Sequence, residues 1–314
     1  VMLYDGAPMY PRADHLLSYA DKEKCSVFGT SAKYLSALQK LDAKVSYKLD
    51  HLRLLLSTGS PLAPESYDFV HERIKENVQL ASISGGTDII SCFALANPLL
   101  PVRRGELQSI GLGMDVRILD PSGSEVEQQK GELCCKPPFP SMPIYFWNDP
   151  NDSQYRAAYF NKFSGYWAHG DYAELTKSGG LIIYGRSDAV LNPGGVRIGT
   201  AEIYRQVETL SEISESIAVA QEWENDVRII LFVVLVDRLV LDADLKHRIC
   251  AAIIENTTPR HVPAIVIQVP DIPRTMSGKI AVCDTIHNRP VTNTDALANP
   301  EALNAFKNLS ELRM

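Results

Sequence analysis

Charged side chains stand beside glycine-rich turns in the segment from Ser164 to Val207. Asp171 follows a glycine at the end of an aromatic-rich stretch, and Arg186 and Arg197 stand near two later turns. A carboxylate in such a place can accept hydrogen bonds from the hydroxyls of a ribose, and a guanidinium can hold a phosphate as a planar fork. The pattern therefore indicates a ligand site. Surface hairpins also carry glycine and charged residues because turns require them, so ordinary turns are the alternative.

Two loops earlier in the chain follow predicted strands. Between Arg12 and Asp88, segments with helical spacing (RADHLLSYADKEK, SAKYLSALQKL) alternate with short apolar runs (SVFGT, LRLLLSTG, VQLASIS). This alternation predicts βαβ units around a parallel sheet, in which ligands bind at the carboxyl ends of the strands. The loops STGSPLAPES and SISGGTDI therefore become candidates for ligand contacts. Gly59 would let the backbone approach a ligand closely and Pro61 would restrict the turn, although both are also common in ordinary loops.

The rest of the chain predicts two further structural regions. Residues 97–185 contain short apolar stretches separated by turn signals, which favour a small antiparallel barrel or sandwich. Beyond Asp188 the helical and strand patterns are those of a compact α+β unit after a short hinge. The predicted fold class is thus α/β plus α+β, with a partial α/β domain, a small β-barrel-like subdomain and a small C-terminal domain. The predicted boundaries are 1–187, 188–284 and a tail at 285–314.

Composition excludes several classes of function. The chain has 314 residues, 45% of them hydrophobic, and a formal net charge of −7, which argues against a nucleic-acid surface. No apolar run approaches the roughly 18 residues of a membrane span, and the chain does not open on a secretory signal. The six cysteines have neither metal-ligand spacing nor the pattern of a small secreted scaffold, so reduced thiols in the cytosol are expected.

The order of the motifs resembles that of the adenylate-forming superfamily, which contains acyl-CoA synthetases, luciferases and peptide-synthetase adenylation domains. YWAHGD resembles the aromatic-x-x-x-G-D segment, GRSD the G-R-x-D motif, PGGVRIGTAEI the Gly-rich turn before G-x-x-E-I, and PRTMSGKI the last motif, P-x-T-x-S-G-K. Ordered matches over about a hundred residues are far more specific than any one of them. The resemblance implies that residues 1–187 are part of an adenylation domain and that the small domain carries the catalytic lysine.

Roles for individual residues follow from this resemblance. It implies nucleotide contacts at Gly59, Ser60, Pro61, Ser84, Gly85, Gly86, Thr87, Asp171, Arg186 and Arg197. Lys279 would bridge the acyl carboxylate and the α-phosphate, and Asp88 would help hold Mg²⁺ because hard cations prefer carboxylate oxygen. Asp188 would be the hinge about which the small domain rotates. The turn at Gly194 and Gly195 would admit the pantetheine arm of CoA.

The acid substrate is also implied by resemblance. Acetyl-CoA synthetases carry a Trp and a Gln where this chain has Gly85 and Gly86, so the missing side chains would leave room for a longer acid than acetate. Ser84 replaces the aromatic residue that stacks on adenine in the family. LYDG, GGTDI, PRHVPAI and the tail NRPVTNTDALANPEALNAFKNL resemble the branch that activates acetoacetate. Acetoacetate, ATP and CoA are the implied substrates.

One expected element is missing from the sequence. The family's Ser/Thr/Gly-rich phosphate loop, T-S-G-T-T-G-x-P-K in type, does not occur, and the first residues, VMLYDGAP, look like an internal strand. We therefore expect a fragment whose partner is the N-terminal half of the same enzyme, and which is inactive alone. The alternatives are a non-catalytic remnant that binds a nucleotide or CoA, and a CoA ligase for another short-chain acid.

Overall fold

The structure, a computed structural model, describes residues 1–224, 226–236, 238–274, 297–307 and 309–313. It divides into two compact units, residues 1–183 (unit 1) and 184–314 (unit 2). The predicted boundary lay at residues 187 and 188, and the observed division falls within the preceding strand, Leu181–Arg186.

Unit 1 begins with the predicted alternation of helices and strands. Its elements are α1 (His15–Lys22), β1 (Val27–Ser31), α2 (Ala32–Lys40), β2 (Leu54–Thr58), α3 (Pro64–Phe69) and β3 (Gln79–Ser82). The strands form a parallel sheet in the order β1-β2-β3, which confirms the parallel pairing. Local sequence sets the helix starts, because the Ser31 side chain accepts a hydrogen bond from the Tyr34 backbone at 3.2 Å and Pro64 opens α3.

The second part of unit 1 is antiparallel. Its elements are β4 (Ser84–Gly86), β5 (Ser91–Leu95), β6 (Ser109–Ile110), β7 (Asp115–Leu119), β8 (Gly131–Lys136), α4 (Ser153–Tyr159), β9 (Trp167–Leu175) and β10 (Leu181–Arg186). One sheet has the order β4-β5-β6 and the other the order β10-β9-β8-β7. The predicted barrel is not confirmed, because β7 and β10 stay at opposite edges of an open sheet and β6 is only two residues long.

An aromatic cluster holds this antiparallel part together. The Trp167 side chain is fully buried, and the Tyr159 ring stacks on it with the ring centroids 3.5 Å apart. Phe139 and Phe160 meet the same indole edge-on, at 5.5 and 5.9 Å. The start of β9 is therefore anchored in the core, which fixes the residues that follow Trp167 along the strand.

Unit 2 has the predicted α+β composition. Its main elements are α5 (Thr200–Val207), β11 (Ile213–Trp223), β12 (Asp226–Leu235), α6 (Ala243–Asn256) and β13 (Ile265–Gln268). β12 is the central strand, antiparallel to β11 and parallel to β13. Both faces of β12 are buried, since Leu231 belongs to one apolar cluster and Phe232 to another. Phe306, in a short helical segment near the chain end, packs on Phe232 at a centroid distance of 4.8 Å.

Other sequence expectations have mixed outcomes. VMLYDGAP is not a strand in the structure, and most of its residues are exposed. The thiols of Cys25, Cys92, Cys134, Cys135 and Cys250 form no disulfide, while Cys283 lies outside the described residues. Across the described part of the chain, every helix is too short or too polar to cross a membrane.

Candidate functional site

The two predicted loops of unit 1 lie side by side at the carboxyl ends of β2 and β3. The Thr58 hydroxyl donates a hydrogen bond to the Ile83 carbonyl at 3.2 Å, and the Ile83 N–H donates to the Ser57 carbonyl at 2.9 Å. Gly59 has φ of +92°, in the region that favours glycine, and no atom lies within 4 Å of where its Cβ would stand. The loop of Gly59, Ser60 and Pro61, in which Gly59 and Ser60 are exposed, thus lies next to the strand that begins at Ser84.

Asp171 reaches this same strand from β9. The Ser84 hydroxyl donates to Asp171 Oδ2 at 3.4 Å, and the Asp171 side chain is 13% exposed. Its neighbour His169 contacts the Gly85 carbonyl through Nε2 at 3.1 Å, and the same nitrogen lies 3.8 Å from Asp171 Oδ2. The acid and the glycine-rich strand, which are far apart in the sequence, therefore belong to one locality in unit 1.

Glu132 positions the backbone next to Asp171, and sequence reasoning missed it. Its side chain is buried, Oε1 accepts a hydrogen bond from the Gly170 N–H at 2.9 Å, and Oε2 lies 2.5 Å from Lys162 Nζ. A buried carboxylate requires such partners. In the sequence Glu132 is a single acid in the apolar stretch GELCC, and only a conflict between its charge and its predicted burial could have identified it.

Thr87 and Asp88 are exposed residues of the turn between β4 and β5. The Thr87 carbonyl accepts a hydrogen bond from the Ile90 N–H at 3.2 Å, and the Tyr159 hydroxyl donates to Asp88 Oδ2. Among the described residues, no three His, Cys, Asp or Glu side chains are grouped so as to hold a metal ion. In proteins, Mg²⁺ is often bound by one or two carboxylates together with the phosphates of the substrate. The exposed carboxylate of Asp88 has the chemistry of such a ligand.

The interpretation that Gly85 and Gly86 leave space for an acid is wrong in its physical argument. A Cβ on Gly85 would lie 1.9 Å from the Ser91 carbonyl oxygen, so this glycine permits the close pairing of β4 with β5. A Cβ on Gly86 would lie 2.8 Å from Cε1 of His169, so an imidazole occupies the space beside it. Sequence alone could not give this result, because Ser91 and His169 meet the glycines only through tertiary structure.

In unit 2, the predicted CoA turn is held by two charged residues that sequence analysis did not single out. The Gly194 N–H donates to Asp226 Oδ1 at 2.9 Å, and Arg260 Nη1 donates to the Gly194 carbonyl at 2.8 Å. The N–H groups of Val227 and then Gly194 lower the pKa of Asp226, and the charge of Arg260 adds to the effect. Gly194 and Gly195 have φ of +55° and +77°, which glycine adopts without strain.

Three further predicted residues, Arg186, Asp188 and Arg197, also lie in unit 2. Arg186 and Asp188 are exposed, with Arg186 Nε 3.6 Å from Asp188 Oδ1. Arg197 is half-buried and stands shortly before α5, which begins at Thr200 as predicted. Lys279 lies outside the described residues.

Comparison with known proteins gives consistent results. Residues 1–146 match the family described as AMP-binding enzyme. The chain is 55% identical over 316 aligned residues to an acetoacetyl-coenzyme A synthetase of Rhizobium meliloti (strain 1021), covering 99% of this chain and 49% of that protein. It is 46% identical to an acetoacetyl-CoA synthetase of Danio rerio, covering 100% of this chain and 48% of that protein.

A solved structure extends the similarity to the fold. An acetoacetyl-CoA synthetase from Streptomyces lividans superposes with a TM-score of 0.90 at 40% identity, over 99% of this chain and 49% of that one. The chain thus spans about half the length of the curated relatives it matches.

Proposed function

Since the chain is a relative of the AMP-binding enzymes and, over nearly its whole length, of acetoacetyl-CoA synthetases, we propose that it is part of a ligase joining acetoacetate to CoA. Acetoacetate attacks the α-phosphate of ATP, which gives acetoacetyl-adenylate and pyrophosphate. The CoA thiolate then attacks the activated acyl carbon and releases AMP. We propose the cytosol as its compartment, in keeping with thiols that form no disulfide.

The observation that carries this proposal is the contact between Asp171 and Ser84. A ligase that activates its substrate with ATP needs a carboxylate side chain to bind the ribose, close to the glycine-rich segment that contacts the adenine and phosphates. Asp171 and the strand that begins at Ser84 have that proximity, with 3.4 Å between the hydroxyl and the carboxylate oxygen. The loop at Gly59 adjoins the same strand through the hydrogen bond from Thr58 to Ile83.

In the proposed first step, the residues of unit 1 hold the nucleotide. Asp171 accepts hydrogen bonds from the ribose hydroxyls, and Thr87 donates one to a phosphate. Asp88 would supply one carboxylate oxygen to Mg²⁺, and the ion would neutralise phosphate charge. Lys279 bridges the acyl carboxylate and the α-phosphate, where negative charge develops during attack.

In the proposed second step, unit 2 contacts CoA. Rotation about Asp188 withdraws Lys279, and the turn at Gly194 and Gly195 borders the pantetheine arm. A side chain on Gly194 would lie 2.9 Å from Arg260 Nη1, so glycine keeps this turn narrow. Arg186 and Arg197 belong to the nucleotide contacts instead: Arg186 reaches the ribose or a phosphate, and Arg197 reaches the phosphates.

The proposal is tested by the acid dependence of pyrophosphate release. The protein is expressed from its complete reading frame and given ATP, Mg²⁺ and CoA with acetoacetate, acetate, butyrate or 3-hydroxybutyrate. We expect release to be fastest with acetoacetate and acetoacetyl-CoA to accumulate. If the folded protein releases pyrophosphate with none of these acids, the ligase proposal fails.

The same assay separates the alternatives. A preference for another acid would indicate a CoA ligase of different specificity. Binding of AMP without acid-dependent release would indicate a non-catalytic nucleotide-binding protein. Release by residues 1–314 alone would contradict the expectation that this part of the chain is inactive without a further N-terminal half.

A further inference from the structure

Two stretches of unit 2 that are separated in the sequence meet at Arg274. The Ala298 N–H donates a hydrogen bond to the Arg274 carbonyl at 2.8 Å, and the Arg274 N–H donates to Oδ1 of Asn299, also at 2.8 Å. The backbone of Arg274 is therefore held through both its donor and its acceptor. Lys279 lies between these two stretches in the sequence.

The side-chain amide of Asn299 makes most of this connection. Its Nδ2 donates to the Ile272 carbonyl at 2.9 Å and also to Oδ2 of Asp271. An asparagine amide has one acceptor oxygen and one nitrogen with two N–H donors, so these contacts use both of its ends. We call the contacts of Asn299 and Ala298 with residues 271–274 the Asn299 clamp.

Other parts of unit 2 fix the two sides of the clamp. The Arg274 guanidinium forms an ion pair with Glu215 of β11, and these side chains are only 15% and 16% exposed. Asn299 directly precedes the short helical segment Pro300–Phe306, whose last residue is buried in the core. The clamp therefore joins two anchored stretches of chain.

We propose that Asn299 is a positioning residue for Lys279, an inference that rests on the proposed function. Lys279 follows Arg274 by five residues, so a displacement of Arg274 moves the point from which the lysine must reach the acyl carboxylate and the α-phosphate. Misplacement of a reacting group by about 1 Å can slow a reaction about a hundredfold. The tail that resembles the acetoacetate-activating branch thus serves the first half-reaction, because it carries Asn299 back to Arg274.

A purely structural role of the clamp predicts a different outcome. If the clamp only held the tail on unit 2, its loss would affect both half-reactions together or neither of them. A positioning role affects adenylation alone, because Lys279 is assigned to the first step. The ratio of the two half-reactions therefore distinguishes the two roles.

The clamp itself is tested by hydrogen exchange in the protein expressed from its complete reading frame. We expect Asn299→Ala to speed exchange of the Arg274 amide by about three- to tenfold, the effect of one lost hydrogen bond. Asn304→Ala is the matched control, because Asn304 is exposed in the same helical segment and its side chain contacts the exposed Lys307. Unchanged exchange at Arg274 in Asn299→Ala would overturn the inference.

The positioning role is tested by the two half-reactions of the same variants. We expect Asn299→Ala to lower kcat for acetoacetate-dependent pyrophosphate release about ten- to a hundredfold, and to change conversion of pre-formed acetoacetyl-adenylate with CoA less than about twofold. Asn304→Ala should change neither. Equal losses in both half-reactions, or no loss in either, would overturn the inference and leave the ligase proposal intact.

An exchange of the two groups across the clamp provides a second variant. Asn299→Asp keeps the acceptor for the Arg274 N–H but places a second carboxylate against Asp271, and like charges repel. We expect it to slow pyrophosphate release, and we expect added Asp271→Asn, which supplies an amide donor from the other side, to restore part of the rate. Absence of recovery in the folded double variant would overturn the inference. If the wild type releases no pyrophosphate with any acid, the ligase proposal and this inference fail together.

Discussion

Asp171 owes its surroundings to residues both inside and outside its own motif. Ser84 contacts its carboxylate, His169 lies beside it, and Glu132 holds the backbone of the preceding glycine. The sequence identified Asp171 through the spacing of the G-D motif. For Glu132 the sequence offered only a charge within a stretch predicted to be buried, because its partner, the Gly170 N–H, is set only when β8 pairs with β9.

Replacing Glu132 tests whether this support is structural. Glu132→Ala removes the acceptor of the Gly170 N–H, and we expect the free energy of unfolding to fall by about 1–3 kcal/mol. Glu132→Gln keeps a carbonyl acceptor and should cost less. Glu127→Ala is the matched control, because its side chain is exposed and most surface substitutions change stability by no more than about 0.5 kcal/mol. Chemical denaturation gives the values, and equal losses in Glu132→Ala and Glu127→Ala would contradict the assigned support.

Two adjacent thiols give a prediction about pH. Burial raises the pKa of Cys134 from 9.0 to about 12 and that of Cys135 from 9.0 to about 11. Because these values are raised in the folded state, their contribution to stability is complete below pH 9 and is lost as the pH rises from there through 11 and 12. We expect the free energy of unfolding to decrease above pH 9. The slope should be shallower in the Cys134→Ala/Cys135→Ala double variant, and identical slopes would contradict the assignment.

At the scale of elements, the strongest sequence patterns predicted the fold well. Alternating helical and apolar segments predicted the parallel sheet, and the loops after β2 and β3 were found next to each other as that topology requires. The predicted barrel was not confirmed, because short strands with turn signals do not specify whether the two edges of a sheet meet. The role of Gly85 was also missed, since its pairing with Cys92 and its close approach to the Ser91 carbonyl depend on a register that the sequence does not state.

The turn around Gly194 yields a prediction for a single element. The pKa of Asp226 is lowered by the N–H groups of Val227 and Gly194, so the ionised acid supports the turn above the usual carboxyl range, and this support is lost as the pH falls through the lowered pKa. We expect the NMR shift of the Gly194 amide proton to titrate with an apparent pKa below 3.8. Asp226→Asn should abolish that titration, and a Gly194 amide that titrates unchanged in this variant would show that another group is responsible.

At the scale of the whole molecule, the chain is made of two compact units and spans about half the length of its curated relatives. The proposed chemistry divides into two steps that different groups serve. Lys279 is assigned to the first step only. The two half-reactions can therefore be separated by one substitution.

Lys279→Ala is expected to slow adenylation about a hundredfold or more while sparing thioester formation, because the lysine stabilises charge that develops only in the first step. Pyrophosphate release reports the first step, and conversion of pre-formed acetoacetyl-adenylate with CoA reports the second. Lys246, on α6, provides a control lysine whose replacement by alanine should affect neither. Equal loss of both half-reactions in Lys279→Ala would contradict its assignment.

The central claim is that Asp171 and the glycine-rich strand beside it hold the nucleotide. Its most direct test is acetoacetate-dependent release of pyrophosphate by wild-type and Asp171→Asn protein, each expressed from the complete reading frame and shown to be folded. Loss of a hydrogen bond to a charged group is worth about ten- to a hundredfold, so we predict a fall of that size in kcat/KM for ATP. Equal kcat/KM for ATP in the two folded proteins would contradict the account.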